Sequence, residues 1–97
     1  MFIILLKLSD NKTQAAEFMQ AHNNWIKHGF NENLFLVVGS ITPDQGGCII
    51  AHNCSLDELQ QRVNNDPFVA QNIVSAEILE VTANQTSEQL SFLMESA

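Results

Sequence analysis

The stretch FIILLKL, residues 2–8, decides the fold, because six of its seven positions are apolar. A strand with one face in water alternates apolar and polar residues, whereas a strand covered on both sides is apolar nearly throughout. Residues 34–41, LFLVVGSI, have the same character. We therefore predict a sheet in which both faces are shielded from water.

After this first strand, helix patterns and strand patterns alternate along the chain. Apolar side chains recur at three- and four-residue spacing over residues 13–28, which indicates a helix, and we expect Gly29 to end it. Residues 42–47, TPDQGG, form a turn. Ser55 and Glu58 fit a capping box that opens a second helix. In order, the predicted strands cover residues 2–8, 34–41, 48–53 and 73–82, and the helices cover residues 13–28, 55–64 and 86–95.

This order, βαββαβ followed by a tail, predicts the α+β class with ferredoxin-like topology, in which one antiparallel sheet carries both helices on one face. Two short helices cover one face only, so the other face needs a different cover. A second copy of the same sheet is the simplest one. We predict a homodimer with the sheets packed face to face, a domain over residues 1–82, and a tail over residues 83–97 that contains a short C-terminal helix.

Composition limits the functions that this chain can have. Its 97 residues suffice for one domain, and charged residues make up only 15%, below the roughly 25% usual in globular proteins. The low charge fraction fits a surface that is partly covered by self-association. Eleven acidic and four scattered basic residues give a net charge of −7, which excludes nucleic-acid binding and disfavours an anionic membrane surface. The apolar run at the start is too short for a signal peptide or a membrane span.

Two cysteines, Cys48 and Cys54, lie on or beside the third predicted strand. Six extended residues span roughly 20 Å, whereas a disulfide needs Cα atoms within about 7 Å, so the two cannot pair within the strand. Unpaired thiols indicate a reducing cytoplasm. The same separation argues against a zinc site built from Cys48, His52 and Cys54, and we expect neither a metal nor a cofactor.

Two polar residues far apart in sequence form the candidate catalytic site. His22 falls within the apolar stripe of the first helix, and Asp66 opens the triplet Asp66-Pro67-Phe68 after the second helix. A buried imidazole left without a hydrogen bond costs roughly 1–3 kcal/mol. A carboxylate is a natural partner for it, and an imidazole held by a carboxylate can transfer protons near neutral pH.

Five short motifs occur in order within residues 1–82: Ala21-His22, Gly29, Gly39-Ser40, Gly46-Gly47 and Asp66-Pro67-Phe68. In this set the chain resembles the YciI-like (YCII-related) family of dimeric α+β barrels. The resemblance implies a His–Asp site in a cleft of each protomer, with His22 and Asp66 as its members. It also implies lyase- or dehalogenase-like chemistry on small hydroxylated rings. Ser40 departs from the family pattern, in which a proline often follows the glycine.

His22, Asp66, Phe68 and Trp25 each also have a purely structural interpretation. A backbone carbonyl would satisfy His22 in the core. Asp66 followed by proline is a common helix opening, in which the aspartate caps free amides, and one carboxylate can serve both roles. Phe68 and Trp25 are candidates either for contact with a planar substrate or for packing alone. Ser40 is a candidate for a polar substrate contact at the end of the second strand.

We therefore predict a small cytoplasmic enzyme of lyase, isomerase or dehalogenase type, with His22 as general acid–base and Asp66 orienting it. A small molecule whose proton is acidified by a neighbouring carbonyl or ring would suit such a pair without a cofactor. Two alternatives stay open: a non-catalytic ligand-binding or sensor module that uses the same cleft, and a structural dimeric accessory domain. The apolar segment 90–94, LSFLM, is a candidate surface for pairing between dimers.

Overall fold

A computed structural model describes residues 1–94 of the chain. Within that range the chain forms four strands and three α-helices, together with short 3₁₀ helices at Lys12–Gln14 and Glu88–Met94. The strands are β1 Phe2–Leu8, β2 Phe35–Ile41, β3 Gly46–Ala51 and β4 Val74–Glu80, and the helices are α1 Ala15–Asn31, α2 Leu56–Asn64 and α3 Pro67–Ala70.

The four strands form one antiparallel sheet in the order β2-β3-β1-β4. Phe2 at the start of β1 pairs with Ala51 of β3 on one side and with Glu80 of β4 on the other. With helices packed on this sheet, the arrangement is the ferredoxin-like α+β fold that the order of elements predicted. β1 lies inside the sheet, between β3 and β4, and its bounds are those predicted.

The side of the sheet that faces the helices carries the core. Alternate residues of β1 are buried, and those between them are half-buried except near the end of the strand. Ile4 of β1 pairs with Ile49 of β3, and neither side chain has more than 1% of its surface exposed. Leu59 and Val63 of α2 belong to the same cluster. The period of two along β1 thus sets which side chains the helices cover.

The prediction that Gly29 ends the first helix is wrong. α1 continues to Asn31, and Asn33, with a φ of 60°, is the residue that takes the left-handed conformation beyond the helix end. Gly29 is buried where α1 meets β2, and a Cβ at this position would collide with the ring of Phe35. The glycine permits close packing of the helix on the sheet. In the sequence, a glycine needed for close packing cannot be told apart from one that ends a helix.

The capping box predicted for the second helix is present. Ser55 Oγ accepts a hydrogen bond from the Glu58 backbone N–H, and Glu58 Oε1 accepts one from the Ser55 N–H, both at 3.1 Å. Just beyond α2 the chain forms the four-residue helix α3. Pro67 is its first residue, and Asp66 is its N-cap. The helix-opening interpretation of Asp66 therefore describes its local structure.

An apolar band crosses the other face of the sheet. Val37, Ile50, Ile3 and Leu79 follow one another in register across β2, β3, β1 and β4. Val37 is 56% exposed and Leu79 is 41% exposed. A continuous apolar band of this kind is what face-to-face pairing of two sheets would bury.

The tail forms the 3₁₀ helix Glu88–Met94, which starts two residues after the predicted position and is more tightly wound than an α-helix. Leu93 is its buried residue, whereas Leu90, Phe92 and Met94 are between 38% and 46% exposed. Glu95, to which the predicted helix extended, lies outside the described residues. Over residues 1–94, no helix has both the length and the apolar character needed to cross a membrane.

Candidate functional site

His22 and Asp66 are in contact. α1 carries His22, and α3, which Asp66 caps, packs against α1. His22 Nδ1 lies 2.7 Å from Asp66 Oδ1, a distance typical of a charge-assisted hydrogen bond. The Asp66 side chain is fully buried, and 12% of the His22 side chain is exposed. The fold thus joins two groups that are 44 positions apart in the sequence.

Asp66 has a structural task as well. Its Oδ1 also accepts a hydrogen bond from the backbone N–H of Phe68, at 3.1 Å, and this bond caps α3. The contact with His22 and the helix cap therefore use the same oxygen atom. The second oxygen, Oδ2, is buried and has no hydrogen-bond partner among residues 1–94. Oδ1 is consequently the atom through which the protein stabilises this carboxylate.

The hydrogen bond to Asp66 fixes the tautomer of His22. Where the Asp66 carboxylate is ionised it can only accept hydrogen bonds, so Nδ1–H is then the donor to Oδ1. In the neutral ring, Nε2 then has a free lone pair and acts as an acceptor. Nε2 is the nitrogen that the ring can offer to a bound molecule.

The ring of Phe68 packs against one face of the His22 imidazole. The two rings are stacked with the centroids 3.9 Å apart and the planes 3° from parallel. A hydrogen bond restrains where the edge of the imidazole lies, and the stacked ring restrains its tilt. The triplet Asp66-Pro67-Phe68 therefore contributes two separate restraints on one histidine.

A cleft of about 490 Å³ opens beside His22. Its lining comes from α1, β1, β2, β3 and the hairpin that joins β2 to β3, with single residues from α3 and β4. His22, Ser40 and Phe68 all line this cleft, whereas Asp66 lies behind His22 and does not. Most of the lining side chains are aliphatic, such as Met19 and Ile26. This volume and character are typical of a pocket for a small organic molecule.

Trp25, the remaining predicted contact residue, lies beside His22, with the ring centroids 6.1 Å apart, but outside the lining of the cleft. Its indole N–H donates a hydrogen bond to the backbone carbonyl of Arg62 at 2.9 Å. Its ring borders a separate cavity of about 440 Å³, which residues of α2 also line. Trp25 thus ties α1 to α2, and it does not line the His22 cleft.

Three polar residues of the cleft, Asn23, Thr42 and Asp44, were missed by sequence reasoning. Asn23 follows His22 in α1, and Asp44 lies in the hairpin turn with a left-handed φ of 49°. Consecutive residues of a helix do not face each other, so adjacency to His22 gave no reason to select Asn23. An aspartate in a turn is explained by turn chemistry alone, so its position beside the cleft has no separate signal in the sequence.

A second buried histidine lies away from the cleft. His52 is 5% exposed, its Nδ1 has no hydrogen-bond partner within the described part of the chain, and burial lowers its pKa below the ordinary 6.5. With Cys54 it borders a third cavity, of about 340 Å³. Burial also raises the pKa of the Cys54 thiol above 9.0, which keeps the thiol protonated and weakly nucleophilic. Across residues 1–94, no three side chains of the His, Cys, Asp and Glu type are grouped to hold a metal ion.

Comparisons with known proteins support the fold. A family model described as the YCII-related domain matches residues 1–82. None of the curated proteins matches the sequence. Among solved structures, the chain is similar to 5-chloro-2-hydroxyhydroquinone dehydrochlorinase (TftG) from Burkholderia phenoliruptrix AC1100, in its complex with 2,5-dihydroxybenzoquinone. The TM-score is 0.67 at 18% identity, over 84% of this chain and 93% of that one, a likeness that establishes a shared fold.

Proposed function

Because this chain belongs to the family of YCII-related domains, we propose that it is a small-molecule enzyme in which His22 and Asp66 act together in general acid–base catalysis. The observation that carries the proposal is the 2.7 Å contact between His22 Nδ1 and Asp66 Oδ1 at the wall of a cleft of about 490 Å³. A histidine that only completed the core would need a hydrogen-bond partner, but it would not need a cavity beside it.

The proposed reaction begins when Nε2 of neutral His22 accepts a proton from a molecule bound in the cleft. The ring becomes an imidazolium, which the Asp66 carboxylate stabilises through the bond from Nδ1–H to Oδ1. Return of the proton to a different atom of the substrate gives isomerisation. Expulsion of a leaving group from the deprotonated substrate gives elimination, after which the proton passes to solvent. Both routes use the same first step.

The substrate must itself supply an acidic proton, because an imidazole is only a moderate base. Protons beside a carbonyl group or on a hydroxylated, electron-poor ring meet this requirement. The aliphatic lining of the cleft suits a small flat molecule, and Ser40 offers a polar contact within it. TftG, whose name describes the removal of chloride from a hydroxylated ring, is a precedent for such chemistry on this fold.

The test is a turnover screen of small cyclic enols, lactones and phenols with the wild-type protein and two variants. His22→Gln removes the titratable ring and should lower turnover by about 10²- to 10⁴-fold. His28→Gln, on the exposed last turn of α1, is the matched control and should retain full turnover. Unchanged turnover in His22→Gln would reject the proposal. A protein that binds these compounds at the cleft and converts none of them would support a binding or sensor module instead.

We also infer that the chain forms a homodimer through the sheet faces. The support is the apolar band of Val37, Ile50, Ile3 and Leu79, which pairing with a second copy would remove from water. Face-to-face pairing would make the assembly a dimeric α+β barrel and leave the His22 cleft on the helix side of each protomer. The two free cysteines support a location in the reducing cytoplasm.

A further inference from the structure

We propose that the His22 cleft accepts uncharged molecules and excludes anions of the same size, with Asp44 at the hairpin as a specificity-determining residue. The proposal rests on the proposed function in one respect, since it names the class of substrate for that same site. The charges around the cleft support this selectivity, and ligand affinities measure it without any turnover assay.

None of the four basic side chains of the chain lines the cleft. Lys7 lies on the face of β1 opposite the core, and its Nζ is 3.5 Å from Glu77 Oε1. Arg62 forms an ion pair with Glu32. Lys12 and Lys27 are exposed and belong to helical segments, where neither borders the cavity. Because all four fall within residues 1–94, this protomer has no other lysine or arginine to place there.

Two carboxylates lie at the cleft. Asp44 lines it directly, and Asp66 lies behind the His22 ring. The other polar side chains of the lining that can contact a ligand, such as Asn23, Ser40 and Thr42, are uncharged. An imidazolium at His22 would be neutralised by its own partner Asp66, so protonation of the ring would not turn the cleft into a positive site.

An anion that entered this cleft would lose hydration without gaining a counter-charge. Transfer of an unpaired charge into an apolar site is costly, and repulsion by a nearby carboxylate adds to the cost. An uncharged ligand escapes both penalties and gains the apolar contacts in full. The cleft should therefore discriminate strongly between two ligands that differ only in charge.

The same charges also limit the chemistry. Removal of a proton by His22 leaves a negative charge on the substrate, and the fixed groups available to stabilise it are hydrogen-bond donors such as Ser40 and Asn23. The Asp66 carboxylate offsets the charge of the His22 imidazolium, and no lysine or arginine lines this protomer's cleft, so the substrate has to spread its charge over its own conjugated system. The inferred class is an uncharged conjugated enol, phenol or carbonyl compound.

The experiment compares 4-hydroxybenzamide with 4-hydroxybenzoate, which have nearly the same size and differ by one negative charge. Binding is followed by NMR titration of the full chain at neutral pH, through amide shifts of residues in β2 and α1 that line the cleft. We expect the dissociation constant of the benzamide to be about tenfold lower than that of the benzoate, a difference of about 1.4 kcal/mol in binding free energy. Equal affinities, tighter binding of the benzoate, or no binding of either compound at cleft residues would overturn the proposal.

Asp44→Asn tests the specificity-determining role. Asparagine adopts positive φ readily, so the turn should keep its conformation. We expect this variant to bind the benzoate about threefold more tightly, a screened surface effect, and the benzamide unchanged. Asp57→Asn, in the exposed first turn of α2, removes the same charge away from the cleft and should change neither affinity. An equal gain in both variants would assign the effect to net charge and refute the role of Asp44.

These outcomes are independent of the test of the proposed function. Charge selection is read from binding constants, whereas general acid–base catalysis is read from the turnover of His22→Gln. A cleft that binds both ligands equally, in a protein whose turnover depends on His22, would refute the charge selection alone. Preferential binding of the benzamide with turnover unaffected by His22→Gln would refute the catalytic role alone.

Discussion

The aromatic ring of Phe68 lies flat against the imidazole of His22, with 3.9 Å between the centroids and 3° between the planes. The backbone N–H of the same Phe68 donates to Asp66 Oδ1, the atom that also accepts a hydrogen bond from His22 Nδ1–H. One residue therefore contacts both members of the pair, through its side chain on one side and its main chain on the other. Its side chain positions the histidine, and its main chain positions the aspartate.

Phe68→Leu is expected to lower kcat by about tenfold with little change in KM, because a tilted imidazole misplaces Nε2 without removing it. The cost in stability should be about 1 kcal/mol, as for other swaps between hydrophobic residues of similar size. Steady-state kinetics and chemical denaturation measure the two quantities. Phe30→Leu, at a half-exposed site on α1, is the control and should leave kcat unchanged. A rise in KM alone would show that Phe68 contacts substrate and does not position His22.

Asp66→Asn and Asp66→Ala separate the capping role of Asp66 from its proposed catalytic role. Asparagine can still accept from the Phe68 N–H and from His22, so α3 should persist while turnover falls by about a hundredfold. Alanine removes the cap and leaves a buried imidazole without its partner, which should cost about 2–3 kcal/mol in the free energy of unfolding. Turnover assays and urea denaturation give both values. Wild-type turnover in Asp66→Asn would contradict the proposed catalytic role.

His52 makes stability depend on pH. Burial lowers the pKa of His52 in the folded protein, so below about pH 6.5 the unfolded chain binds the proton more readily than the folded chain. The free energy of unfolding should therefore rise between about pH 5.5 and about pH 7.5, and it should fall as acid is added. Urea denaturation at both values measures this slope. His52→Gln should flatten it, whereas His28→Gln, an exposed histidine, should not. An unchanged slope in His52→Gln would assign it to other groups.

Gly29→Ala should destabilise the protein although alanine favours helices over glycine by about 1 kcal/mol. The new methyl group would meet the ring of Phe35, and overpacking of this kind outweighs helix propensity. We expect the free energy of unfolding to fall by about 2 kcal/mol, measured by chemical denaturation. Gly39→Ala is the matched control, since a Cβ there has no neighbour within 4 Å, and it should cost little. A stabilised Gly29→Ala protein would show that Phe35 moves aside.

Val37→Asp tests the dimer inferred for the sheet face. A carboxylate in the middle of the apolar band would be buried without a partner on pairing, so the variant should be monomeric while the wild type is dimeric. Sedimentation velocity gives the mass of each. Leu56→Asp places the same charge on an apolar residue of similar exposure in the first turn of α2, and it should remain dimeric. A monomeric wild type would refute the dimer directly.

Much of the fold followed from local patterns in the sequence. The composition of β1 predicted its bounds, and the Ser55–Glu58 capping box predicted the start of α2. Gly29 was misassigned because its function depends on Phe35, which comes later in the chain and which no local rule connects to it. Patterns within a segment are visible in sequence, whereas close approaches between segments are not.

The candidate site shows the same division. The sequence offered His22 and Asp66 as possible partners because each needs a hydrogen bond and because a known family places them together. It gave no indication that Phe68 stacks on His22 or that Trp25 would instead bond to Arg62. Ring orientations and hydrogen-bond choices of this kind depend on the angle between α1 and the later helices, which is a property of tertiary packing.

The Asp66 cap links the winding of α3 to the geometry of the site. A helix of four residues cannot sustain itself by its own hydrogen bonds, so this turn persists only while its cap and its packing hold it. When the turn opens, the hydrogen bond from the Phe68 N–H to Asp66 Oδ1 breaks. The same Oδ1 positions His22, so the carboxylate is then no longer held in place for the imidazole. The hydrogen-exchange rate of the Phe68 amide thus reports how often the protein visits a state in which its histidine is unaligned.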